Sequence, residues 1–367
     1  MQHLHQTVGE RGIFGPSPVE IVTPLRAIGI RSDPLTPGGN MCRVQGNFVA
    51  RATHYNAIVK ATASTLLKVV APLAAGSEED RQRLQTMSAY FYQKGSDGAT
   101  FPFSIVGNTS VSLTTPPAAD HGLATAPFSL TVPCSTNWLS ISGNKPGFAG
   151  KVQVVSANGF SVISDIDDTI RVTEVNDQSK ALKNTLVKPF RPVSGMPDFF
   201  ARLKQTLSQG DANPVSFHYV TGSVHQLAAP LTTFIAQLYP EGSLHPRAFG
   251  LVDLDFWAGT PAHKREQISA LFAAAPRRQW VMIGDSTEKD PEVYGDAWRS
   301  LAPVTKTTIK CIFIRRVTGV NADKEKDLNK PERFMTAFQG IPADKWFVFD
   351  DPAQLMTIDV AGGKCKP

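Results

Sequence analysis

Phe160, Val162 and Ile163 run straight into Asp165, Asp167 and Asp168 and then Thr169, inside the segment Ser161 to Thr173, SVISDIDDTIRVT. A β-branched run this short, with carboxylates at its end, reads as a strand buried on both faces of a parallel sheet. Open α/β sheets keep their ligand sites at the carboxyl ends of strands, so acids in that position point to chemistry. Side chains two apart share a face while the chain stays extended, which puts Asp165 with Asp167 and turns Asp168 away. Two carboxylates a few ångströms apart repel. The pair is tolerated when a proton is shared or a divalent cation lies between, and hard oxygen ligands favour Mg²⁺.

A second junction of the same kind lies far downstream, in QWVMIGDSTEKDPEVYGD. Trp280 to Ile283 read as another buried strand, followed by Gly284, Asp285 and, five residues later, Asp290. DIDDT and GDSTEKD together resemble the DxDxT and GDxxxxD motifs of the haloacid-dehalogenase (HAD) phosphohydrolase superfamily. The wording around them, SDIDDTI, NTLVKPFRPVSGMPDF and GDSTEKDPEVYGD, resembles the catalytic domain of the fungal actin-patch-associated phosphatidate phosphatases. That resemblance covers roughly the C-terminal two thirds of the chain.

The remaining sequence sets the frame. A chain of 367 residues with 42% hydrophobic and 19% charged residues has room for two globular domains. A net charge of +5 is compatible with an anionic surface, and the absence of a dense basic tract argues against nucleic acid. Cys42, Cys134, Cys311 and Cys365 form no CxxC pair and are too few for a disulfide scaffold, so they are expected to be reduced. No apolar stretch approaches eighteen residues and Met1 to Gly15 lacks an apolar core, so no transmembrane segment is expected. A cytoplasmic protein with peripheral membrane association follows.

Residues 1–40 mix Pro, Gly and charge without periodicity and read as an N-terminal arm. Residues 41–145 carry short alternating runs (Arg43 to Thr53, Ser88 to Tyr92, Ser110 to Thr115, Phe128 to Val132) and read as a smaller, mostly β, sandwich-like domain. Within it, Ser64 to Leu84 fits either a short helix or a long loop. His3, His5 and His54 have no neighbours at metal-ligand spacing. Ser140 to Gly150 is the expected boundary, and residues 150–367 then alternate strand and helix. The elements are Phe160 to Ser164, Asp198 to Leu207, Val215 to Val220, Val224 to Leu238, His263 to Ala274, Trp280 to Ile283, Glu292 to Leu301 and Ile309 to Ile314. That order gives an α/β class with a doubly wound parallel sheet, and the resemblance implies that the sheet is HAD-like.

Phosphoryl transfer needs a nucleophile, a proton donor for the leaving oxygen, and positive charge around the phosphate. Asp165 is the candidate nucleophile and Asp167 the candidate general acid and then base. The resemblance implies that the Asp167 carbonyl also meets the metal; Asp168 fits an anchor for the loop. Thr221 and Gly222, in FHYVTGSVHQL, are read as a strand end before a helix, a place suited to anions, and the family's phosphate-contacting hydroxyl maps to Thr221. Lys264, opening a helix in TPAHKREQI beside His263 and Arg265, matches the family's phosphate-neutralising base. Asp285 and Asp290 complete the metal set with Asp165 and Asp167. Glu288 and Lys289 read as solvated, His225 as packed or solvated, and Asp350 and Asp351, ahead of Pro352, as a helix cap.

The gaps from Asp165 to Thr221 and from Thr221 to Lys264 are too short for a large lid, so an open site is expected. The intervening flap carries Arg171, Lys180, Lys183, Lys188 and Arg191 against Glu174 and Asp177, with Leu182, Leu186, Val187 and Phe190 interleaved. Basic and apolar residues together suit an anionic phospholipid at a membrane surface, and core packing with solvated lysines explains them equally well. Phosphatidate hydrolysis to diacylglycerol and phosphate is implied by the resemblance, as are cortical or endocytic protein partners. The motifs alone ask only for a phosphomonoester, which leaves a soluble ester as an alternative substrate. A lipid- or partner-binding adaptor with an incidental HAD domain is the alternative from outside enzymology.

Overall fold

The computed structural model describes residues 21–74, 76–106, 110–119, 121–145, 149–210, 213–248, 260–301 and 308–367. Eight strands in the first part of the chain join one sheet: β1 (Ile21–Pro34), β2 (Met41–Tyr55), β3 (Gln93–Gly95), β4 (Pro102–Val106), β5 (Ser110–Thr114), β6 (Leu123–Pro133), β7 (Trp138–Gly143) and β8 (Ala149–Ser156). Their order is β3-β2-β1-β8-β7-β4-β5, with β6 also on β2, and every pair is antiparallel except β1 with β8. Alternation along β6 turns Ala124, Ala126, Phe128, Leu130 and Val132 inward. They meet Val44, Phe48, Phe103, Ile105, Leu139 and Val152 in one core, and the Phe48 and Phe103 rings lie 4.9 Å apart. A smaller, mostly β, sandwich-like domain was expected; here hydrogen bonds link all eight strands in one sheet beside a single core.

Residues 1–20 of the expected arm lie outside the described residues, whereas Ile21–Pro34 is strand. The register of β1 on β2 slips between Pro24 and Arg26 and again between Arg31 and Pro34, and these irregularities hide the period-two signal in the sequence. The boundary also moves. β8 remains in the first sheet to Ser156, and the chain crosses into the second sheet at Gly159, whose φ of +105° suits glycine.

The cysteines overturn their sequence reading. Cys42 pairs with Cys134, which follows the strand that lies beside Cys42, and Cys311 pairs with Cys365 from the chain's last residues. Sequence separations of 92 and 54 residues concealed both pairings. Disulfides are characteristic of oxidising compartments, and the expectation of reduced thiols is thereby corrected. Among the described residues no helix is long and apolar enough to cross a membrane.

Between β2 and β3 the chain inserts two helices, α1 (Ala57–Val70) and α2 (Glu78–Ala89), which account for the ambiguous Ser64 to Leu84 stretch. Ser77 caps α2 by accepting from the Asp80 amide at 3.1 Å, and Glu78, Glu79 and Asp80 complement the dipole of its first turn. Ala63, Val70, Ala74, Met87 and Phe91 of this insertion pack with Leu186, Val187, Leu227 and Phe234. The hairpin thus shares the core of the second half of the chain.

That second half holds a wholly parallel sheet of β9 (Phe160–Ser164), β10 (Ser216–Val224), β11 (Ser243–Arg247), β12 (Gln279–Asp285), β13 (Ile309–Arg315) and β14 (Trp346–Phe349). The order is β11-β10-β9-β12-β13-β14. Its helices are α3 (Gln178–Leu182), α4 (Met196–Leu207), α5 (Ala228–Leu238), α6 (Thr260–Ala274), α7 (Asp290–Ser300), α8 (Ala322–Leu328) and α9 (Pro331–Ala337). Val162, Val281, Ile283, Cys311 and Phe313 face Phe199, Phe200 and Leu231 of α4 and α5. Ile163, Met282, Ile312 and Ile314 face Ile268, Val293, Tyr294 and Phe334 of α6, α7 and α9. Successive residues feed opposite faces, so the strands read as continuous apolar runs covered by helices on both sides. Strand order reverses between β9 and β12, which places a crevice at their carboxyl ends.

Candidate functional site

The two acidic junctions meet at that crevice. β9 delivers Asp165 and β12 delivers Asp285 side by side, and the Asp165 amide donates to the Ile283 carbonyl at 2.9 Å. Thr169, the threonine of DIDDT, bridges them, its hydroxyl lying 3.2 Å from both Asp165 Oδ2 and Asp285 Oδ2. Lys264 reaches in from the second turn of α6, later in the helix than the sequence suggested. Its Nζ lies 2.8 Å from Asp165 Oδ1, 2.5 Å from Asp290 Oδ1 and 2.8 Å from Glu288 Oε2. Gly222 allows the approach of α6, because a Cβ there would stand 2.5 Å from Thr260 Cγ2 at the helix start.

Asp167 is held by a separate set of donors. Arg171 Nε at 3.1 Å, Arg171 Nη2 and the Thr173 hydroxyl at 2.7 Å all donate to Oδ1. The hydroxyls of Thr221 at 3.2 Å and Ser223 at 2.6 Å donate to Oδ2. Burial pushes this carboxyl up, but the Arg171 charge and the bonds from Ser223, Arg171 and Thr173 outweigh it and hold Asp167 below the ordinary range. Asp168 adopts φ +57° and accepts from the amides of Thr173, Glu174 and Val175 at 2.7–2.9 Å, which ties down the loop after β9.

Thr221 is in the cluster, yet the helix N-terminus expected beside it is absent. β10 continues to Val224 before a 3₁₀ turn, and the Ser223 amide donates to Thr221 Oγ1 at 2.9 Å. Glu288 is the acid that the sequence reading put in solvent. The tight loop from Asp285 to Asp290 swings its carboxylate onto Lys264, whereas Lys289 is exposed. Arg171, read as a flap cation, is 1% exposed. Leu186 and Val187 of the flap face the core, and Lys188 pairs with Asp80 at 2.6 Å, leaving Lys183 and Arg191 exposed. His225 is buried, while Asp350 pairs with Arg316 and Asp351 caps the turn after it. The expected open site is closed in this conformation. Asp165, Asp285, Asp290 and Thr221 are 0% exposed, and the flap brings Thr185 and Phe190 onto Arg171 above Asp167.

The donor set suits a divalent cation. Asp165, Glu288 and Asp290 can each present an oxygen within 4.8 Å of the others. Asp165, Asp285, Glu288 and Asp290 surround a single ammonium, Lys264. Burial first, then the charges of Asp290, Asp168 and Glu288, push Asp285 up to about 8, and burial likewise raises Asp165 against the pull of Lys264. This surplus of negative charge is what a hard cation relieves. The side chain of Asp167 is committed to its four partner residues and does not join this group.

Comparison with known proteins gives the cluster its context. Residues 160–316, which contain every residue from Asp165 to Asp290 named above, match the family described as phosphatidate phosphatase APP1, catalytic domain. An uncharacterized protein of Schizosaccharomyces pombe is 29% identical over 175 residues, 46% of this chain and 27% of that protein. Phosphatidate phosphatase APP1 of Saccharomyces cerevisiae is 28% identical over 144 residues, 38% of this chain and 24% of its own. The chain thus spans about a quarter of the length of these relatives. A solved carbohydrate esterase chain aligns over 89% of this chain and 99% of its own at 10% identity, but its TM-score of 0.23 carries no argument. What the chain holds from β9 to the end of β13 is a catalytic domain similar to that of the APP1 phosphatidate phosphatases.

Proposed function

We propose that this protein is a Mg²⁺-dependent phosphatidate phosphatase that works through an aspartyl-phosphate in the manner of the HAD phosphohydrolases. The observation that carries this reading is Lys264 Nζ, 2.8 Å from Asp165 and 2.5 Å from Asp290, inside a segment that matches the APP1 catalytic domain. Asp165 Oδ attacks phosphorus and the bond to the ester oxygen breaks, the departing oxygen taking a proton from Asp167 to leave diacylglycerol. Water then attacks the phosphoryl group, Asp167 takes the water's proton, and the bond to Asp165 breaks to release phosphate. The donors around Asp167 favour its anionic form, the state that the second step uses, so the proton for the first arrives with the phosphomonoester. Lys264 neutralises Asp165 and the incoming phosphate, and Thr221 with Gly222 lines the phosphate side. Asp165, Asp285 and Asp290, joined by Glu288 and the Asp167 carbonyl, would hold Mg²⁺, which supplies positive charge for the equatorial phosphate oxygens.

Substrate reaches the site at an anionic bilayer, with peripheral rather than spanning attachment. A soluble phosphomonoester is the second reading, favoured by the burial of Asp165 and Asp285, which suits an enclosed substrate. Phosphate release from phosphatidate, lysophosphatidate and water-soluble esters, with and without chelator, separates the two. Activity that rises with phosphatidate surface concentration, needs Mg²⁺ and disappears in Asp165→Asn supports the first reading. Release from soluble esters alone refutes it in favour of the second, and no release from any substrate refutes both.

A further inference from the structure

Oδ1 of Asp167 is held by Arg171 together with Thr173, and Arg171 is held in turn by residues far away in the sequence. The Arg171 guanidinium carbon lies 4.3 Å from the Phe190 ring centroid, and that of Arg83, on α2, lies 5.1 Å from the same centroid. One aromatic ring therefore carries two cations, an arrangement in which ring attraction opposes the repulsion between them. Arg83 is fixed independently, since its Nε donates to the Lys188 carbonyl at 2.6 Å. Lys188 closes the clamp by donating from Nζ to both carboxylate oxygens of Asp80, at 2.8 and 2.6 Å, one turn before Arg83 on the same helix. The flap segment Lys188 to Phe190 is thus gripped from α2 at its backbone, its lysine and its aromatic ring. Arg171 Nη1 is buried without a hydrogen bond, so packing against Phe190 is a main restraint on that edge of the guanidinium.

We propose that Arg83 is a positioning residue for phosphoryl transfer, acting through Phe190 to seat Arg171 against Asp167, and that the α1–α2 hairpin is thereby a working part of the catalytic unit. The inference deepens the phosphatase reading and rests on it for its kinetic consequence. Displacing a buried guanidinium by a fraction of an ångström misaligns the acid–base carboxylate while the phosphate cradle on the Lys264 side stays intact. The effect therefore falls on kcat, and KM is spared.

The test uses the full chain. Arg83→Ala and Phe190→Leu are expected to lower kcat for phosphate release about tenfold or more, with KM within about twofold of the parent. Their combination should cost little more than either alone, because both act through one contact. Arg83→Lys, which keeps a cation over the ring and a donor to the Lys188 carbonyl, should recover much of the rate. Arg81→Ala, removing an exposed arginine that pairs with Glu78 on the same helix, should change nothing. A readout independent of activity is the Nε–H signal of Arg171, assigned by its loss in Arg171→Lys. Its bond to Asp167 protects it from exchange, and in Arg83→Ala it should exchange about tenfold faster. Unchanged kcat and unchanged protection in a folded Arg83→Ala overturn the proposal. If the parent releases no phosphate from any ester, the phosphatase reading fails, and the exchange measurement still decides whether Arg83 seats Arg171. Should Arg83→Ala not fold, Phe190→Leu and Arg83→Lys decide by the same two measurements.

Discussion

Replacing Lys264 by Met removes the one ammonium among the described residues that pairs with Asp165, Glu288 and Asp290, from a side chain that is 2% exposed. The thioether fills much of the same volume, so packing changes little and the electrostatic consequence stands alone. Breaking a buried ion pair by deleting one partner costs about 3–5 kcal/mol, because the remaining charge is left uncompensated. For a unit of this size that corresponds to a fall of about 6–20 °C in thermal midpoint. The measurement is thermal unfolding of the parent and Lys264→Met in chelator near neutral pH, repeated with Mg²⁺. The parent should gain about 2.7 kcal/mol at a Mg²⁺ concentration a hundredfold above its Kd, and the variant should be rescued in part by the same ion. Phosphate release should be lost in the variant under both conditions. A midpoint in chelator equal to or above that of the parent, or no response of either protein to Mg²⁺, refutes the claim that one ammonium and a divalent ion jointly neutralise this cluster.

Gly284→Ala should abolish activity with a lower midpoint, because its Cβ would lie 2.5 Å from Asp290 Oδ2 and push Asp290 off Lys264; normal turnover would show that Asp290 is dispensable. His218 lies buried between Ser216 and Ser243, where burial and then the Arg278 charge lower its pKa from 6.5 to about 3. The unfolded chain takes up that proton first, so the stabilisation is complete above 6.5 and is lost at about 1.4 kcal/mol per pH unit as the pH falls, about 2 kcal/mol by pH 5. His218→Gln should therefore flatten the acid limb of a stability–pH curve measured by denaturant unfolding. Alkylation of the unfolded, unreduced protein should label no cysteine, and Cys311→Ser with Cys365→Ser should lower stability by about 2–4 kcal/mol in denaturant titrations. Two free thiols in freshly prepared protein would contradict one pairing, and four would contradict both.

The sequence by itself determined the parallel sheet and where its chemistry would gather. Runs such as Phe160 to Ser164 and Trp280 to Ile283 are apolar at consecutive positions because each strand feeds two helical layers, and that local pattern needs no knowledge of partners. The acids that follow them, Asp165 and Asp285, were legible for the same reason: strand ends are local features, and the strands they terminate lie side by side. Tertiary structure decided which charges work together. Arg171 and Lys188 look alike in sequence, yet one is buried against Asp167 and the other is paired with Asp80 on a helix more than a hundred residues earlier. Glu288 joined the cluster because a tight loop turned it inward, and Cys42 met Cys134 because the register of β2 on β6 placed them together. Periodicity reports which face of an element is dry. It carries no information about which distant side chain arrives to meet a buried charge, and in this protein Thr221 and Ser223 arrive on Asp167 and Lys264 arrives on Asp165.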